Sequence, residues 1–390
     1  MIQTRDRAEA VPALLRKINF RKVLDAMQTL GPCSRAQLTR ATGISPPTMS
    51  ILVRELVKRG LVEKDSKPPV SGVGRPGIRF RLAQKTSFVV GVVMDANSCS
   101  LAISGLNGKI DPKKSTSVKI PATYDQLIQN LVAAVEKLAQ EESGTFLGVG
   151  LSCPGLVDKN TGTIKLSSIL PILTGHTPGR DLERQLMKPV AMLPENQAMT
   201  LAAKVFGLAS NVRDFILIDL TTGTGMGAFL EGKYLSGTSG YGAEIGHITV
   251  VPENGLPCGC GNNGCLETVA NDRALARACS EKLGREVDID ELMTLAKSGD
   301  FKLDGALDKT LDYLAIGVAA AINIFNPQLA ILQGRMFDLQ EDVMPRLVEK
   351  IRKRALLPAF EGCRIEHTSP NKQLAAVAGI VNHVYSATSS

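Results

Sequence analysis

The sequence lacks any apolar run of about 18 residues, the length that a membrane-spanning helix requires. Its mean hydropathy is close to zero, at +0.06, and 44% of its residues are hydrophobic. The first residues, MIQTRDRAEA, lack the apolar segment of a secretion signal. These absences predict a cytoplasmic protein without membrane insertion, in a reducing compartment. Its 390 residues suffice for two or three domains.

Acidic residues are scarce at the front of the chain. Residues 1–85 contain 17 Lys and Arg against 6 Asp and Glu, a net charge of +11, whereas the remaining residues contain 28 against 32, a net charge of −4. This asymmetry favours a front module that binds a polyanion, joined to a weakly acidic body. A solvated basic face is the alternative.

Three helices are predicted within this basic module. An apolar period over residues 14–31 indicates the first, and Ser34 then caps a short helix, RAQLTRAT, that stops at Gly43. The third helix begins with Ser45 as its N-cap, followed by two prolines. Its predicted core face consists of Met49, Leu52, Val53 and Leu56.

The order of a helix, a short helix, a tight turn and a longer helix predicts a winged helix-turn-helix DNA-binding domain over residues 1–85. Residues 66–82 contain a Gly- and Pro-rich stretch that has the form of a wing or linker, with strands expected at 61–64 and 78–82. A small helical packing domain is the alternative, and the positive charge of the module favours DNA binding.

In such a domain the second helix of the pair lies in the major groove, and the residues near its amino terminus meet base edges. Outward-facing hydroxyls could therefore bond bases or phosphates, and Arg54 could read guanine. Arg75 either enters a narrow minor groove or is a solvated loop residue. The residues predicted to contact DNA are Ser45, Thr48, Ser50, Arg54 and Arg75.

A dense group of metal-binding residue types lies within residues 244–267. Three cysteines and one histidine could close a tetrahedral Zn²⁺ site, and glycines between them allow a tight loop. Four protein ligands leave no position for an activated water, so the predicted role of the zinc is structural. Three buried cysteines beside an incidental histidine are the alternative, which the CxCx₄C spacing disfavours. The predicted ligands are His247, Cys258, Cys260 and Cys265.

The pattern ExGH followed by CxCGxxGCLE closely resembles the ROK family of sugar kinases and sugar-responsive transcriptional repressors. The resemblance covers essentially the whole chain, because the family's repressors also carry a Gly-Arg-Pro element, found here at 74–76, between their DNA module and their body. It implies an α/β fold in which the winged helix-turn-helix is followed by an actin- or hexokinase-like (ribonuclease H-like) body at residues 86–390, with two lobes around a cleft. The strands and helices that alternate after Ser87 agree with this fold.

The resemblance also identifies kinase motifs that are altered in this sequence. Gln197, in ENQA, stands where the family's kinases carry their catalytic Asp, and an amide cannot accept the proton of a sugar hydroxyl. Asp95 and Ala96 stand at two glycines of the first phosphate hairpin, where a carboxylate would repel ATP. A later glycine pair appears as Gln333-Gly334-Arg335, whereas Thr221–Gly227 keeps the second phosphate hairpin. We therefore expect no kinase activity.

The sugar-binding positions implied by the resemblance are better preserved. His247 would present one ring nitrogen to zinc and the other to the sugar, and paired carboxylates suit vicinal hydroxyls. The alternative is that Glu244 and Glu267 only support the zinc loop. The implied sugar-binding residues are Asn196, Gln197, Glu244, His247 and Glu267.

Together these patterns predict a sugar-responsive transcriptional regulator, a repressor of carbohydrate uptake or catabolism genes, with structural zinc. It is expected to bind a double-stranded DNA operator as a homodimer or homotetramer, with a sugar or sugar derivative as its signal. Two alternatives remain at this point. One is an active ATP-dependent sugar kinase with Asp95 as a replacement base, and the other is a repressor that responds to a protein partner or a phosphosugar.

Overall fold

The computed structural model describes residues 3–66, 78–299, 301 and 303–387. The chain forms two compact units. The first unit comprises residues 1–157, 161–210 and 372–390, and the second comprises residues 158–160 and 211–371. Of the helices that the structure describes, none is both long and apolar enough to cross a membrane.

The chain begins with a winged helix-turn-helix. Its helices are α1 (Gln3–Leu30), α2 (Arg35–Thr42) and α3 (Pro46–Lys58). Its strands are β1 (Cys33–Ser34), β2 (Val62–Lys64) and β3 (Arg79–Leu82), in the antiparallel order β1-β3-β2.

Local signals set the boundaries of the helix-turn-helix. Ser34 and Gln37 form a reciprocal capping box at the start of α2, and Gly43 ends α2 in the left-handed conformation, with φ +71°. Ser45 occupies the N-cap of α3 but makes no side-chain bond to the helix amides. The core face of α3 is the predicted one, since Met49, Leu52, Val53 and Leu56 are all buried.

An α/β lobe completes the first unit. Its strands are β4 (Ser87–Met94), β5 (Ser98–Ser104), β6 (Ile110–Lys119), β7 (Thr145–Cys153), β8 (Leu156–Val157), β9 (Ile164–Leu166) and β10 (Val190–Pro194). Its helices are α4 (Tyr124–Gln140), α5 (Pro178–Leu186) and α6 (Glu195–Phe206). Five of the strands form one sheet in the order β10-β7-β4-β5-β6, with β4 parallel to β7 and antiparallel to β5.

The second unit repeats this topology. Its strands are β11 (Phe215–Asp219), β12 (Gly225–Leu230), β13 (Lys233–Tyr234), β14 (Leu329–Gln333) and β15 (Arg364–Thr368). Its helices are α7 (Asp272–Leu283), α8 (Ile289–Ser298), α9 (Asp304–Phe325), α10 (Val343–Arg352) and α11 (Leu357–Glu361). The sheet order is β15-β14-β11-β12-β13. As in the first unit, the first three strands along the chain are antiparallel neighbours, and the last two, β14 and β15, run parallel to β11. Each unit therefore carries one copy of the same α/β sheet arrangement.

The last helix, α12 (Lys372–Ala387), returns to the first unit and packs closely on its sheet. A Cβ atom at Gly150 would lie 1.9 Å from the carbonyl oxygen of Ala376. The far end of α12 contacts the winged helix, because Tyr385 Oη donates to Gln28 Oε1 at 3.3 Å, and Arg21 Nη1 donates to Asn382 Oδ1 at 2.8 Å. One buried core thus extends from the winged helix into the lobe.

A second link between the winged helix and the lobe centres on the carboxylate of Glu63 in β2. Its Oε2 accepts the backbone N–H groups of Gln84, Lys85 and Thr86 at 3.1–3.3 Å, and its Oε1 accepts Arg81 Nε at 2.8 Å. Burial alone would raise the pKa of Glu63, but these donors outweigh it and hold the pKa below the ordinary value. The segment that leads from the wing into β4 is therefore fixed by a buried anion.

Candidate functional site

One face of α3 points away from the core of the winged helix. Along it, exposed side chains follow one another at intervals of four, three and four residues, which places them in one stripe of the helix. This outer stripe of α3 consists of Pro47, Ile51, Arg54 and Lys58. It is apolar toward the start of α3 and cationic toward its end. Such a stripe suits a helix that offers its first turns to base edges and its cations to phosphates.

The residues predicted to contact DNA differ in exposure. Arg54 is exposed and makes no hydrogen bond or ion pair within the described part of the chain. Ser45 is exposed, Thr48 and Ser50 are half-buried, and Ser45 Oγ lies 2.9 Å from Thr48 Oγ1. Arg75 lies outside the described residues. The structure thus brings four of the five predicted residues to the first turns of α3 or to its outer stripe.

The acidic residue of α3, Glu55, is held by two arginines. Arg59 Nη2 lies 2.6 Å from Glu55 Oε1, and Arg16 of α1 pairs with the other carboxylate oxygen. This pairing neutralises the carboxylate on a helix that is expected to approach phosphates. Among the described residues, no carboxylate pairs with Arg54 or Lys58 on the outer stripe.

The four predicted metal ligands converge in the second unit. The ligand atoms of His247, Cys258, Cys260 and Cys265 all lie within 4.8 Å of one another. Cys260 Sγ is 3.7 Å from Cys265 Sγ, and Cys258 Sγ is 3.6 Å from His247 Nδ1. A tetrahedral Zn²⁺ with Zn–S of about 2.3 Å and Zn–N of about 2.0–2.1 Å keeps its donors about 3.5–3.8 Å apart. The side chains therefore fit a Cys₃His metal site in which all four positions belong to the protein.

Backbone geometry folds this loop tightly enough for three sulfurs to meet. Gly261 and Gly264 adopt φ angles of +96° and +72°, which a side chain would disfavour. At Gly264 a Cβ atom would also lie 1.9 Å from the carbonyl oxygen of Val251. Cys258 N–H donates to the carbonyl of Asn262 at 2.8 Å, which closes the turn between the first two cysteines and the third. Two of the three glycines between the cysteines thus have a conformational role, whereas a Cβ atom at Gly259 would meet nothing within 4 Å.

Two carboxylates flank the histidine of this cluster. His247 Nδ1 faces Cys258 and lies 3.8 Å from Glu267 Oε1, whereas Nε2 lies 4.0 Å from Glu244 Oε2. Burial raises the pKa of Glu244, His247 opposes this shift, and the negative charge of Glu267 adds to it. The three side chains stay partly exposed, at 36% for His247, 37% for Glu244 and 26% for Glu267. Glu267 Oε1 also lies 2.8 Å from Cys258 Sγ, so Glu267 contacts the cysteine cluster, whereas Glu244 flanks the ring nitrogen that faces away from it.

The glycine hairpin Thr221–Gly227 lies beside this cluster in the same unit. A Cβ atom at Gly223 would lie 3.4 Å from Glu267 Oε2, and one at Gly246 would lie 1.9 Å from the carbonyl oxygen of Thr224. Asn271 Nδ2 donates to Thr224 Oγ1 at 3.3 Å and to the carbonyl of Glu267 at 2.7 Å. The hairpin and the metal loop therefore form one packed assembly.

The other residues implied to bind sugar belong to the first unit. Asn196 and Gln197 occupy the first turn of α6, and their side chains are half-buried, without a hydrogen bond to other described residues. Glu195, just before them, lies 2.7 Å from Lys372 Nζ at the start of α12. The same ammonium lies 3.1 Å from Asp95 Oδ2, so the carboxylate of Asp95 is engaged by a cation of this chain.

The structure reveals two polar residues that were not identified in the sequence. Lys372 was missed because α12 itself was not predicted. Asp272, which is 3% exposed, accepts the backbone N–H groups of Arg335 and Met336 at 2.7 and 2.8 Å. Burial raises the pKa of Asp272 to about 6, although the two N–H donors act to lower it. Its position at the start of α7 after Asn271, a residue that caps the helix, is the only sequence signal for such a role.

Comparison with protein families gives two matches. The model of the ROK family matches residues 89–383, and the model of the MarR family matches residues 22–69. The MarR match includes helices α2 and α3 and strand β2 of the winged helix-turn-helix. The ROK match covers both α/β sheets.

Curated relatives match nearly the full length. The chain is 27% identical to the xylose repressor of Caldicellulosiruptor bescii, with 96% of each chain covered. It is 26% identical to the N-acetylglucosamine repressor of Escherichia coli O6:H1, over 88% of this chain and 86% of the relative. A solved ROK family transcriptional regulator, described as a homolog of the E. coli MLC protein, superposes with a TM-score of 0.79 at 23% identity, covering 95% of this chain and 97% of the other. The predicted fold, a winged helix-turn-helix before an actin- or hexokinase-like α/β body, is thereby confirmed.

Proposed function

Because the chain belongs to the ROK family, we propose that it is a sugar-responsive transcriptional repressor of carbohydrate uptake or catabolism genes. It would act in the cytoplasm on double-stranded operator DNA, as a homodimer or homotetramer whose symmetry matches a palindromic site. The relatives named as xylose and N-acetylglucosamine repressors support this function. They also make a pentose and an amino sugar the first candidates for the signal.

The observation that carries the proposal is the outer stripe of α3. It is exposed, it ends in two cations, and the acidic residue of the same helix is neutralised by Arg16 and Arg59. A helix built only to pack against the lobe would have no need of this arrangement. DNA offers its complement, with base edges in the major groove and phosphates along its borders.

DNA binding can be tested by selecting duplexes from a random pool with the full-length protein and measuring affinity for the enriched site. Replacing Arg54 with alanine should weaken binding about tenfold or more, because a base or phosphate contact is lost. The matched control is Lys137→Ala, which removes an exposed cation on α4 of the same unit. Failure of the wild-type protein to enrich any sequence would refute the proposed function.

We propose that a sugar binds through Asn196, Gln197, Glu244, His247 and Glu267. The support within the second unit is the arrangement around His247, whose Nε2 lies near Glu244 while Nδ1 faces the cysteines. Carboxylates and an imidazole nitrogen can share the hydrogen bonds of neighbouring hydroxyl groups. Zinc held by the Cys₃His cluster would be structural, fixing the orientation of His247 and of the loop that carries Glu267.

Thermal melting against xylose, N-acetylglucosamine, glucose and their phosphates tests this ligand class. A ligand at about a hundred times its Kd adds about 2.7 kcal/mol of stability, a shift of several degrees. Glu244→Gln and Glu267→Gln should reduce that shift, whereas Glu253→Gln, on an exposed position of the same loop, should not. A protein in which no sugar raises the melting temperature would instead need a protein partner as its signal, detectable by co-purification.

The first unit contains a continuous connection between these residues and the DNA module. Helix α12 has 16 residues, which span about 24 Å. Its first residue pairs with Glu195 beside Asn196, and Asn382 and Tyr385 near its end contact α1. We propose that a ligand-induced shift at the start of α6 reaches the winged helix as a movement of this helix. Because effector and DNA would then be linked, each should change the affinity of the other by the same factor.

We propose further that the chain is not a kinase. Gln197 cannot serve as a base. Asp95, the candidate replacement base, forms an ion pair with the ammonium of Lys372. Incubation with Mg²⁺-ATP and a sugar panel should produce no ADP above background, and ATP alone should leave the melting temperature unchanged. Sugar-dependent ADP formation would establish the kinase alternative.

A further inference from the structure

Ile51 is 57% exposed in a helix whose other large apolar residues are mostly buried. Met49, Leu52 and Val53, its near neighbours, are at most 3% exposed. The side chain of Ile51 therefore contributes little to the core, and an alanine at this place would favour the helix more, because a β-branched side chain loses rotamer freedom there. Packing and helix propensity do not account for this residue.

The surroundings of Ile51 identify what could cover it. Pro47 precedes it by one turn on the outer stripe, and Arg54 and Lys58 follow it. An apolar surface that continues into two cations is complementary to a groove with an apolar group on its floor and phosphates on its borders. In the major groove of DNA, the apolar group on a base edge is the C5-methyl group of thymine.

We infer that Ile51 is a specificity-determining residue that contacts the methyl group of one thymine in each operator half-site. This inference rests on the proposed function and adds to it the identity of a base. Ile51 lies in the second turn of α3, close to the amino-terminal residues that meet base edges in this class of domain. The contact excludes cytosine at that position, because cytosine has no methyl group and presents an amino group in the groove.

The test uses the full-length protein and the site that it selects from a random duplex pool. Each thymine of the selected half-site is replaced, one at a time, by deoxyuridine, which removes only the methyl group. Affinities are measured for the wild-type protein, Ile51→Ala, the conservative variant Ile51→Val, and the control Ile169→Ala. Ile169 is an isoleucine of the same unit outside the winged helix that is 40% exposed.

At one thymine in each half-site, deoxyuridine should weaken wild-type binding about fourfold, the equivalent of about 0.8 kcal/mol for one buried methyl group. Ile51→Ala should bind the unmodified site about fourfold more weakly and should not respond to that deoxyuridine. Ile51→Val should keep part of the response, and Ile169→Ala should behave as the wild type. The melting temperature of Ile51→Ala should be no lower than that of the wild type, which separates a lost contact from a folding defect.

The inference is overturned if Ile51→Ala binds as tightly as the wild type. It is also overturned if every thymine-to-deoxyuridine change costs the variant as much as it costs the wild type, since Ile51 would then act only through the structure of α3. Either result leaves the proposed function intact. If the wild-type protein selects no sequence at all, the proposed function fails, and the inference fails with it.

Discussion

Replacing Lys372 with methionine should destabilise the first unit by about 2 kcal/mol at neutral pH. The ammonium of Lys372 lies 2.7 Å from Glu195 Oε1 and 3.1 Å from Asp95 Oδ2. Methionine keeps most of the apolar stem of lysine, so the substitution removes mainly the charge. What remains is a pair of carboxylates near the start of α6 without their shared cation.

The magnitude follows from the exposure of the three side chains, which is 29% for Lys372, 20% for Glu195 and 51% for Asp95. An exposed ion pair contributes about 0–1 kcal/mol, and losing one partner of a fully buried pair costs about 3–5 kcal/mol. This site lies between those limits, nearer to the buried case on the side of Glu195. A loss of about 2 kcal/mol corresponds to a decrease of about 4–8 °C in the melting temperature of a unit of this size.

The pH dependence has a definite sign. Burial lowers the pKa of Lys372, but Glu195 and Asp95 outweigh it and raise the pKa above its ordinary value. Because the folded-state pKa exceeds the unfolded value, the stabilisation is complete at neutral pH. It declines only as the pH rises beyond the unfolded pKa of about 10.4. The difference between wild type and Lys372→Met should therefore be constant between about pH 6 and pH 9.

Melting curves of Lys372→Met, Glu195→Gln and the double variant provide the measurement. Glu195→Gln should partly rescue the Lys372→Met protein, because it removes the carboxylate that has lost its partner. Lys137→Met, which removes an exposed cation from α4, should melt as the wild type does. A Lys372→Met protein that melts within 1 °C of the wild type would refute the reasoning about this ion cluster.

Three further substitutions test other parts of the structure. Cys260→Ser should abolish bound zinc in metal analysis and lower the melting temperature as much as chelator lowers that of the wild type; unchanged melting would contradict a structural metal. Gly150→Ala should cost about 3 kcal/mol, because its Cβ would lie 1.9 Å from the Ala376 carbonyl, whereas Gly362→Ala, with 3.5 Å of space, should be neutral in the same melting assay. Burial raises the pKa of Asp272 to about 6, so the folded wild type binds more protons than the unfolded chain and should lose stability as the pH rises from about 4 to 6. Asp272→Asn should not show this loss when melting is followed against pH.

Local chemistry made the winged helix predictable. The cap at Ser34 and the stop at Gly43 are signals that lie within one turn of the boundaries they set, and the apolar period of α3 predicted its buried face. The metal cluster was predictable for a similar reason, because Cys258, Cys260 and Cys265 lie within a few residues of one another. In these segments, the signals that set the local structure lie close in sequence to the residues that they position.

Long-range packing explains what the sequence did not predict. Helix α12 contains the apolar run Ala375–Val381, which is buried throughout, and so it lacks the polar face that marks an amphipathic helix. Strand β6, at the edge of its sheet, carries a mainly polar and exposed sequence that gives no alternating pattern. The repeat of sheet order in the two units lies in strand pairing rather than in residue identity.

If the chain is a sensor, as we propose, internal carboxylates would favour a neutral ligand over a phosphate at the segments that correspond to kinase motifs. In the first unit, Asp95 is paired with Lys372 at the first altered glycine hairpin. In the second unit, Asp272 accepts the amides of Arg335 and Met336 directly after the altered Gln333-Gly334 pair. A phosphate that used either set of donors would have to displace a carboxylate already bonded there and leave that charge unpaired, at a cost of several kcal/mol. A polyol needs neither set, since its candidate partners around His247 remain partly exposed. The proposed sensor would therefore keep sugar affinity and lose ATP affinity on the same fold.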